Sequence, residues 1–259
     1  MNEKGPARQA ASDAAPGGGR ETARTVLRGE GLYKSYLDTD GSELQILKGV
    51  DLDVGAGEVV AVVGASGAGK STLLHLLGGL DRPTGGEVYV EGQALSRLDE
   101  RGLAALRNRR VGFVFQFHHL LREFSALENI MMPLLIGGVE AGAARSRAEE
   151  LIGAVGLTDR KDHKPVHLSG GERQRIAVAR ALVNEPVVLL ADEPSGNLDN
   201  QTSERLHETF FRLRAERHLA VVLVTHNRDL AARADRVLRL HDGRLTDASP
   251  SPAEHEAVR

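Results

Sequence analysis

The chain has 259 residues, 41% hydrophobic and 27% charged, which fits one substantial core with room for a smaller appended subdomain. A formal net charge of −3 gives no broad basic face, so no nucleic-acid partner is expected, and the lack of cysteine excludes disulfides, cysteine-ligated zinc and iron–sulfur clusters. No apolar run nears the roughly 20 residues of a membrane helix, and no apolar export-signal core stands near residue 1, so any work at a membrane is expected to go through a partner.

Residues 1–24 are rich in Ala, Gly, Pro and charge, include Pro16-Gly17-Gly18-Gly19, and are expected to form a disordered tail. Glu3, Asp13 and Glu21 break the acid-poor pattern of a transit peptide. Strands are predicted over 26–33, 46–54 and 58–63, then a helix over 70–80 and a strand over 86–90. A helix over 99–108, a strand over 111–115 and helices over 127–135, 143–155 and 171–184 follow. The rest reads as a strand over 187–191, a helix over 201–217, a strand over 220–225, a helix over 228–234 and a strand over 236–241. From about residue 247 the chain, with Ser249-Pro250-Ser251-Pro252, is expected to be loose again. Several strand runs are apolar and β-branched without alternation, as in strands covered on both faces, so the alternation predicts an α/β fold with a mostly parallel sheet. The helix-rich stretch 96–165, with one strand at its start, reads as an inserted helical subdomain inside a folded unit over 25–246.

The run Gly64-Ala65-Ser66-Gly67-Ala68-Gly69-Lys70-Ser71-Thr72 lies between a predicted strand and a predicted helix. That is the setting of a phosphate-binding P-loop. Glycines let the backbone wrap a polyphosphate, and the loop and helix N-terminal amides point at the anion. Lys70 adds a positive charge near the outer phosphates and Ser71 a hydroxyl for Mg²⁺, so the chain is expected to bind a nucleoside triphosphate. The strand over 187–191 ends in Asp192-Glu193. An aspartate there suits Mg²⁺ and a second carboxylate suits the attacking water, although an acidic loop after a core strand has the same appearance. Leu168-Ser169-Gly170-Gly171-Glu172-Arg173-Gln174-Arg175 opens a helix; its serine and glycines suit either a helix cap or a phosphate contact, and the residues alone do not choose.

That last motif resembles the signature of ATP-binding cassette (ABC) ATPases, and the other elements of the family follow in order. Gln116 is similar to the Q-loop glutamine, Ser195-Gly196-Asn197-Leu198-Asp199 to the D-loop, and His226 to the switch histidine. Tyr36, in Leu32-Tyr33-Lys34-Ser35-Tyr36, is similar to the aromatic that stacks on adenine; Tyr33 is its competitor, and a strand tyrosine is more often packing. The resemblance covers about residues 26–245. It implies a P-loop NTPase (RecA-like) core with a mixed sheet and an inserted α-helical subdomain. It also implies Mg²⁺ held through Ser71, Gln116 and Asp192, catalysis by Glu193 with His226 and Gln116, and coupling of two sites through Asp199. Two copies are implied to pair head to tail, each ATP lying between the P-loop of one and the Leu168–Glu172 signature of the other.

The segment 117–137, with Phe117-His118-His119-Leu120-Leu121-Arg122-Glu123-Phe124 at its start, occupies the region where this family receives a short helix from a membrane subunit. Its adjacent histidines point in different directions and do not form a chelate by themselves. An ordinary subdomain helix burying its own apolar face would read the same. This stretch, with Leu73-Leu74-His75-Leu76-Leu77-Gly78-Gly79-Leu80-Asp81 and Ala181-Leu182-Val183-Asn184, is similar to the ATP-binding subunits of Lol-type lipoprotein-releasing systems. It departs from them at Arg122-Glu123, where Pro-Asp is expected, and at Asn227, where Asp is common. The resemblance implies a peripheral subunit on the cytoplasmic face of the bacterial inner membrane, docked on a LolC/LolE-like pair. Relatives serving macrolide or peptide exporters, or cell division, share the same core. A soluble non-transport ABC ATPase is the rival class, disfavoured by a single P-loop and no heptad array.

Overall fold

The computed structural model describes residues 24–37 and 41–248. The tails expected over 1–24 and from about 247 lie almost wholly outside them.

Two sheets form. The larger has the order β10 (Arg244–Asp247), β9 (Arg236–His241), β3 (Val59–Val63), β8 (Ala220–Val224), β7 (Val188–Asp192), β6 (Val111–Val114). All its pairings are parallel except that of β10, which returns antiparallel along β9. The valine- and leucine-rich runs of β3, β7 and β8 are buried on both faces, which is why they show no polar alternation.

The smaller sheet has the order β2 (Glu43–Gly55), β1 (Thr25–Leu37), β4 (Gly85–Val90), β5 (Gln93–Ala94), antiparallel throughout. Its signal is period two: Val50, Leu52 and Val54 are buried, while Asp51 and Asp53 between them are exposed. The alternation of elements predicted one mostly parallel sheet; the antiparallel sheet, and the short strands β5 and β10, are additions that the structure reveals.

Helix α1 (Lys70–Leu77) runs between the two sheets and buries Leu73, Leu74, Leu76 and Leu77 against both. Each leucine so buried contributes about 2 kcal/mol. α1 stops three residues earlier than predicted because Gly78 and Gly79 follow. Gly79 adopts φ +65°, and a side chain on Gly78 would run into the Phe113 ring.

On the other face of the large sheet lie α5 (Gly170–Leu182) and α6 (Asn200–Arg217), through Ile176, Val178, Leu182, Leu206, Phe210 and Leu213. Helices α3 (Ala126–Ile136) and α4 (Ala141–Ala154) stack outside α5 in the same cluster. Of the expected 96–165 subdomain, α2 (Glu100–Arg110) packs with the sheets through Leu103 and Leu106, and β6 is a strand of the large sheet. The helical layer proper starts with α3. The last helix, α7 (Arg228–Ala231), is one turn capped by Asn227.

Candidate active site

Four neighbouring parallel strands, in the order β3, β8, β7, β6, end on one side of the sheet. The segments that leave their carboxyl ends carry the P-loop, Thr225-His226, Glu193 and Gln116. Together they line a cavity of about 570 Å³ with Ile46, Gly64, Ser66, Gly67, Gly69, Lys70, Ser71, Thr72, Gln116, Asp192, Glu193 and His226. A crevice outside the carboxyl ends of such strands is where open α/β sheets bind ligands.

The P-loop glycines Gly67 and Gly69 adopt φ +79° and +96°, and Gly69 is the N-cap of α1. Lys70 Nζ folds back over the loop and donates to the carbonyls of Gly64 at 3.0 Å and Ala65 at 2.9 Å. The ammonium is thereby held at the cavity wall within reach of an incoming anion.

Asp192 is in register with Val224, so the residues after the two strands emerge side by side. Glu193 takes φ +45°, a left-handed conformation that costs a non-glycine residue about 1–3 kcal/mol. Its amide donates to the carbonyl of Val224 at 2.9 Å, and its carbonyl accepts from the amide of Gly196 at 3.0 Å. Its carboxylate accepts from Thr225 Oγ1 at 3.2 Å and meets His226 Nδ1 at 2.8 Å. Thr225 was not singled out by sequence reasoning; its place just before the histidine is its only sequence signal.

Gln116 Nε2 donates to Asn197 Oδ1 at 3.2 Å, and Asn197 Nδ2 donates to the Gln116 carbonyl at 3.4 Å. The Q-loop and D-loop are thus tied together. Further along the D-loop, Asp199 caps α6 by accepting from the Thr202 amide at 3.0 Å, and the Thr202 hydroxyl and amide hold its carboxyl below the usual range. Ser195 Oγ lies 2.9 Å from Nε2 of the buried His207.

The signature stands apart from this cavity: none of Leu168, Ser169, Gly170, Gly171 and Glu172 lines it. Ser169 and Glu172 form a reciprocal capping box at the start of α5, with bonds of 3.2 and 2.7 Å. The Ser169 amide is the main cause holding the Glu172 carboxyl below its usual range. Gly171 packs so closely on α6 that a Cβ would collide with Thr202 Cγ2.

Tyr36, Ala65 and Ala68 also do not line the cavity. The Tyr36 hydroxyl donates to Asp81 Oδ2 at 3.0 Å, and Lys34 Nζ, bonded to Asp81 Oδ1 at 2.8 Å, sits 4.8 Å from the ring centre. Burial raises the Asp81 carboxyl, but bonds from Lys34, Tyr36 and the Arg82 amide outweigh it and hold it low. Burial and Asp81 raise the Tyr36 hydroxyl. Tyr33 instead covers Gly49 in the strand pairing.

A second cavity, of about 500 Å³, is lined by His118, His119, Leu120, Arg122, Pro165, Val166 and Arg173. Phe117, Leu121, Phe124 and Val166 expose apolar surface nearby. Two residues missed by sequence reasoning build this wall. Arg180 donates to the carbonyls of His118 at 2.8 Å and His119 at 2.7 Å. Asn129, fully buried, accepts from the Leu121 amide and donates to the carbonyls of Leu121, Phe124 and Ser125. The signal for Asn129 is an asparagine directly before the apolar run Ile130–Ile136 of the same helix.

The family model described as ABC transporter matches residues 47–196. The chain is 54% identical over 231 residues to the "Lipoprotein-releasing system ATP-binding protein LolD" of Xanthomonas oryzae pv. oryzae, covering 89% of this chain and 94% of that one. It is 56% identical over 214 residues to the protein of the same name from Geobacter metallireducens, covering 83% and 95%. Among solved structures it is similar to the ATP-binding cassette MJ0796 in a dimeric post-hydrolysis state bound to ADP and Pi, with a TM-score of 0.79 and 36% identity over 87% of this chain and 100% of that one. With these likenesses and a P-loop, glutamine, aspartate–glutamate pair and histidine on four adjacent strand ends, the chain belongs to the ABC transporter family and is one of its ATP-hydrolysing cassettes.

Proposed function

We propose that this cassette powers an inner-membrane transporter that releases lipoproteins towards the outer membrane. The observation that carries the cargo assignment is identity above one half, across nearly the whole chain, with lipoprotein-releasing system ATP-binding proteins. Among the described residues no helix is long and apolar enough to cross a membrane, so the transport path belongs to other subunits. The cavity beside His118, Arg122 and Arg173, edged by exposed Phe117, Leu121 and Phe124, supports docking of a membrane-subunit helix within 117–137. The partner pair would be LolC/LolE-like, and the cassette would lie on the cytoplasmic face.

In the hydrolysis site, the P-loop amides and Lys70 bind the phosphates, and Tyr36, outside the cavity lining, would stack on the adenine beyond it. Ser71, Gln116 and Asp192 bring hydroxyl, amide and carboxylate oxygens to one cavity, a hard-oxygen set that suits Mg²⁺. Those three side chains would hold the ion, which when bound with ATP neutralises phosphate charge. Glu193 accepts the proton of the attacking water at its carboxylate. His226, anchored through Nδ1, keeps Nε2 for the γ-phosphate, and Thr225 steadies the carboxylate. The Ser169–Gly171 segment lies outside this cavity; a second copy would supply it in an ATP-sandwich dimer, with Asp199, the N-cap of α6, at the shared boundary. The dimeric state of the MJ0796 cassette supports this arrangement.

The test is a pull-down of tagged Glu193→Gln from gently solubilised membranes with ATP and Mg²⁺. Two related membrane subunits carrying lipoprotein are expected. A single exporter subunit or a cell-division protein would reassign the cargo, and ribosomes or DNA without membrane protein would overturn the transporter role.

A further inference from the structure

We propose that Asn197 is a positioning residue for hydrolysis: it turns the Gln116 side-chain amide so that its oxygen faces the nucleotide cavity. The inference rests on the reading of Gln116 as a ligand of the nucleotide's cation.

The orientation follows from two bonds. Asn197 Nδ2 donates to the Gln116 main-chain carbonyl at 3.4 Å, which sets the Asn197 amide with Oδ1 towards the Gln116 side chain. Oδ1 then accepts from Gln116 Nε2 at 3.2 Å. A primary amide has one acceptor end and one donor end, so a reversed Gln116 would set oxygen against oxygen. Nε2 is therefore committed to Asn197. Oε1, which accepts no hydrogen bond from the described residues, remains for the cavity that Gln116 lines. A hard cation accepts oxygen there and is repelled by a forward-facing NH₂. Gly196 makes room for the pairing, since even a Cβ there would come within 3.1 Å of Gln116 Nε2. Neither amide is buried in the core, so hydrophobic packing does not explain the pair. Asn197 sits in the loop that also carries Asp199, and the structure assigns it the task of presenting one cation ligand from that loop.

The test uses the full chain with a non-hydrolysable ATP analogue and Mn²⁺, with free Mn²⁺ read by electron paramagnetic resonance. Asn197→Ala should weaken Mn²⁺ binding about fivefold, the effect of losing one neutral hydrogen bond. Nucleotide affinity measured in a chelator and the melting temperature should stay unchanged. Gln116→Glu is the diagnostic background, because a carboxylate presents oxygen either way round. There, Asn197→Ala should cost nothing further. Equal losses in both backgrounds would make Asn197 a general loop support and overturn the proposal, as would wild-type Mn²⁺ binding by Asn197→Ala beside weakened binding by Gln116→Ala. Unchanged binding by Gln116→Ala would instead remove the cation reading of Gln116, and the proposal with it.

Discussion

His226 Nδ1 stands 2.8 Å from Glu193 Oε1, with the histidine ring largely exposed and the carboxylate mostly buried. The contact exists because β7 and β8 are neighbours with Asp192 opposite Val224, so Glu193, one residue past its strand, and His226, two residues past its own, enter the same space. The left-handed turn at Glu193 directs its side chain into that space. Glu193→Gln should keep ATP binding, lower turnover by about 10²–10⁴-fold and accumulate an ATP-bound dimer on size-exclusion chromatography. Rapid turnover by that variant would remove Glu193 from its role.

Among the described residues Lys70 Nζ donates to two loop carbonyls, and in the proposed site a phosphate would take their place. Lys70→Ala should weaken ATP binding by about tenfold or more in a fluorescent-nucleotide titration, while leaving the fold intact by circular dichroism. Wild-type affinity would contradict the P-loop assignment.

The signature glycine Gly171 lets α5 sit against α6. Gly171→Ala should cost about 1–3 kcal/mol by overpacking against Thr202 and lower the melting temperature. Thr202→Ser removes the offending methyl group, and the double variant should recover most of the loss. No recovery would mean that the glycine acts through something other than this contact.

Asn129 ties the 121–125 loop to α3 with four hydrogen bonds. Asn129→Ala should cost about 1–3 kcal/mol, since loop groups lose their partner, and should speed amide exchange at 121–125. ATP affinity should hold while attachment to the membrane subunits weakens. Substitutions at His118, Leu121 or Phe124 should weaken attachment without the exchange effect. Equal assembly of all these variants with membrane subunits would exclude the docking wall.

His207 is buried beneath Ser195, and burial holds its pKa below the ordinary 6.5 despite Glu204 and Asp229, with Arg233 acting in the same direction as burial. The folded pKa is depressed, so the contribution is fully present above the unfolded value and is lost as pH falls from about 6.5 towards the folded one. Melting temperature should therefore drop from pH 7 to 5, and less steeply for His207→Gln. Parallel curves for the two proteins would rule out a neutral buried His207.

Much of the site was legible because its parts are local. A strand, a glycine-rich turn and a helix with Lys70-Ser71 need only short-range spacing, and α1 begins at the predicted residue. The strand ending in Asp192 and the histidine after β8 were equally readable. Ser169 was ambiguous between cap and phosphate contact, and the structure displays the cap outright, because Glu172 stands three residues on to close the box. Asn197, Asn129 and Arg180 gave little warning, since their partners are far away in sequence or are main-chain carbonyls.

By itself the sequence determined the α/β alternation, the buried strands and a run of residue types suited to a phosphate. These follow from backbone geometry and hydrophobic spacing within a dozen residues. Only the tertiary structure decided that β3, β8, β7 and β6 are neighbours, out of chain order, and that β1, β2, β4 and β5 form a separate antiparallel sheet. A doubly buried valine-rich strand fits beside any similar strand, so its neighbours are chosen by the crossover helices and by the shared packing of α1 between the sheets. That choice puts Gln116, Glu193 and His226 around the P-loop and leaves the Ser169 signature outside it.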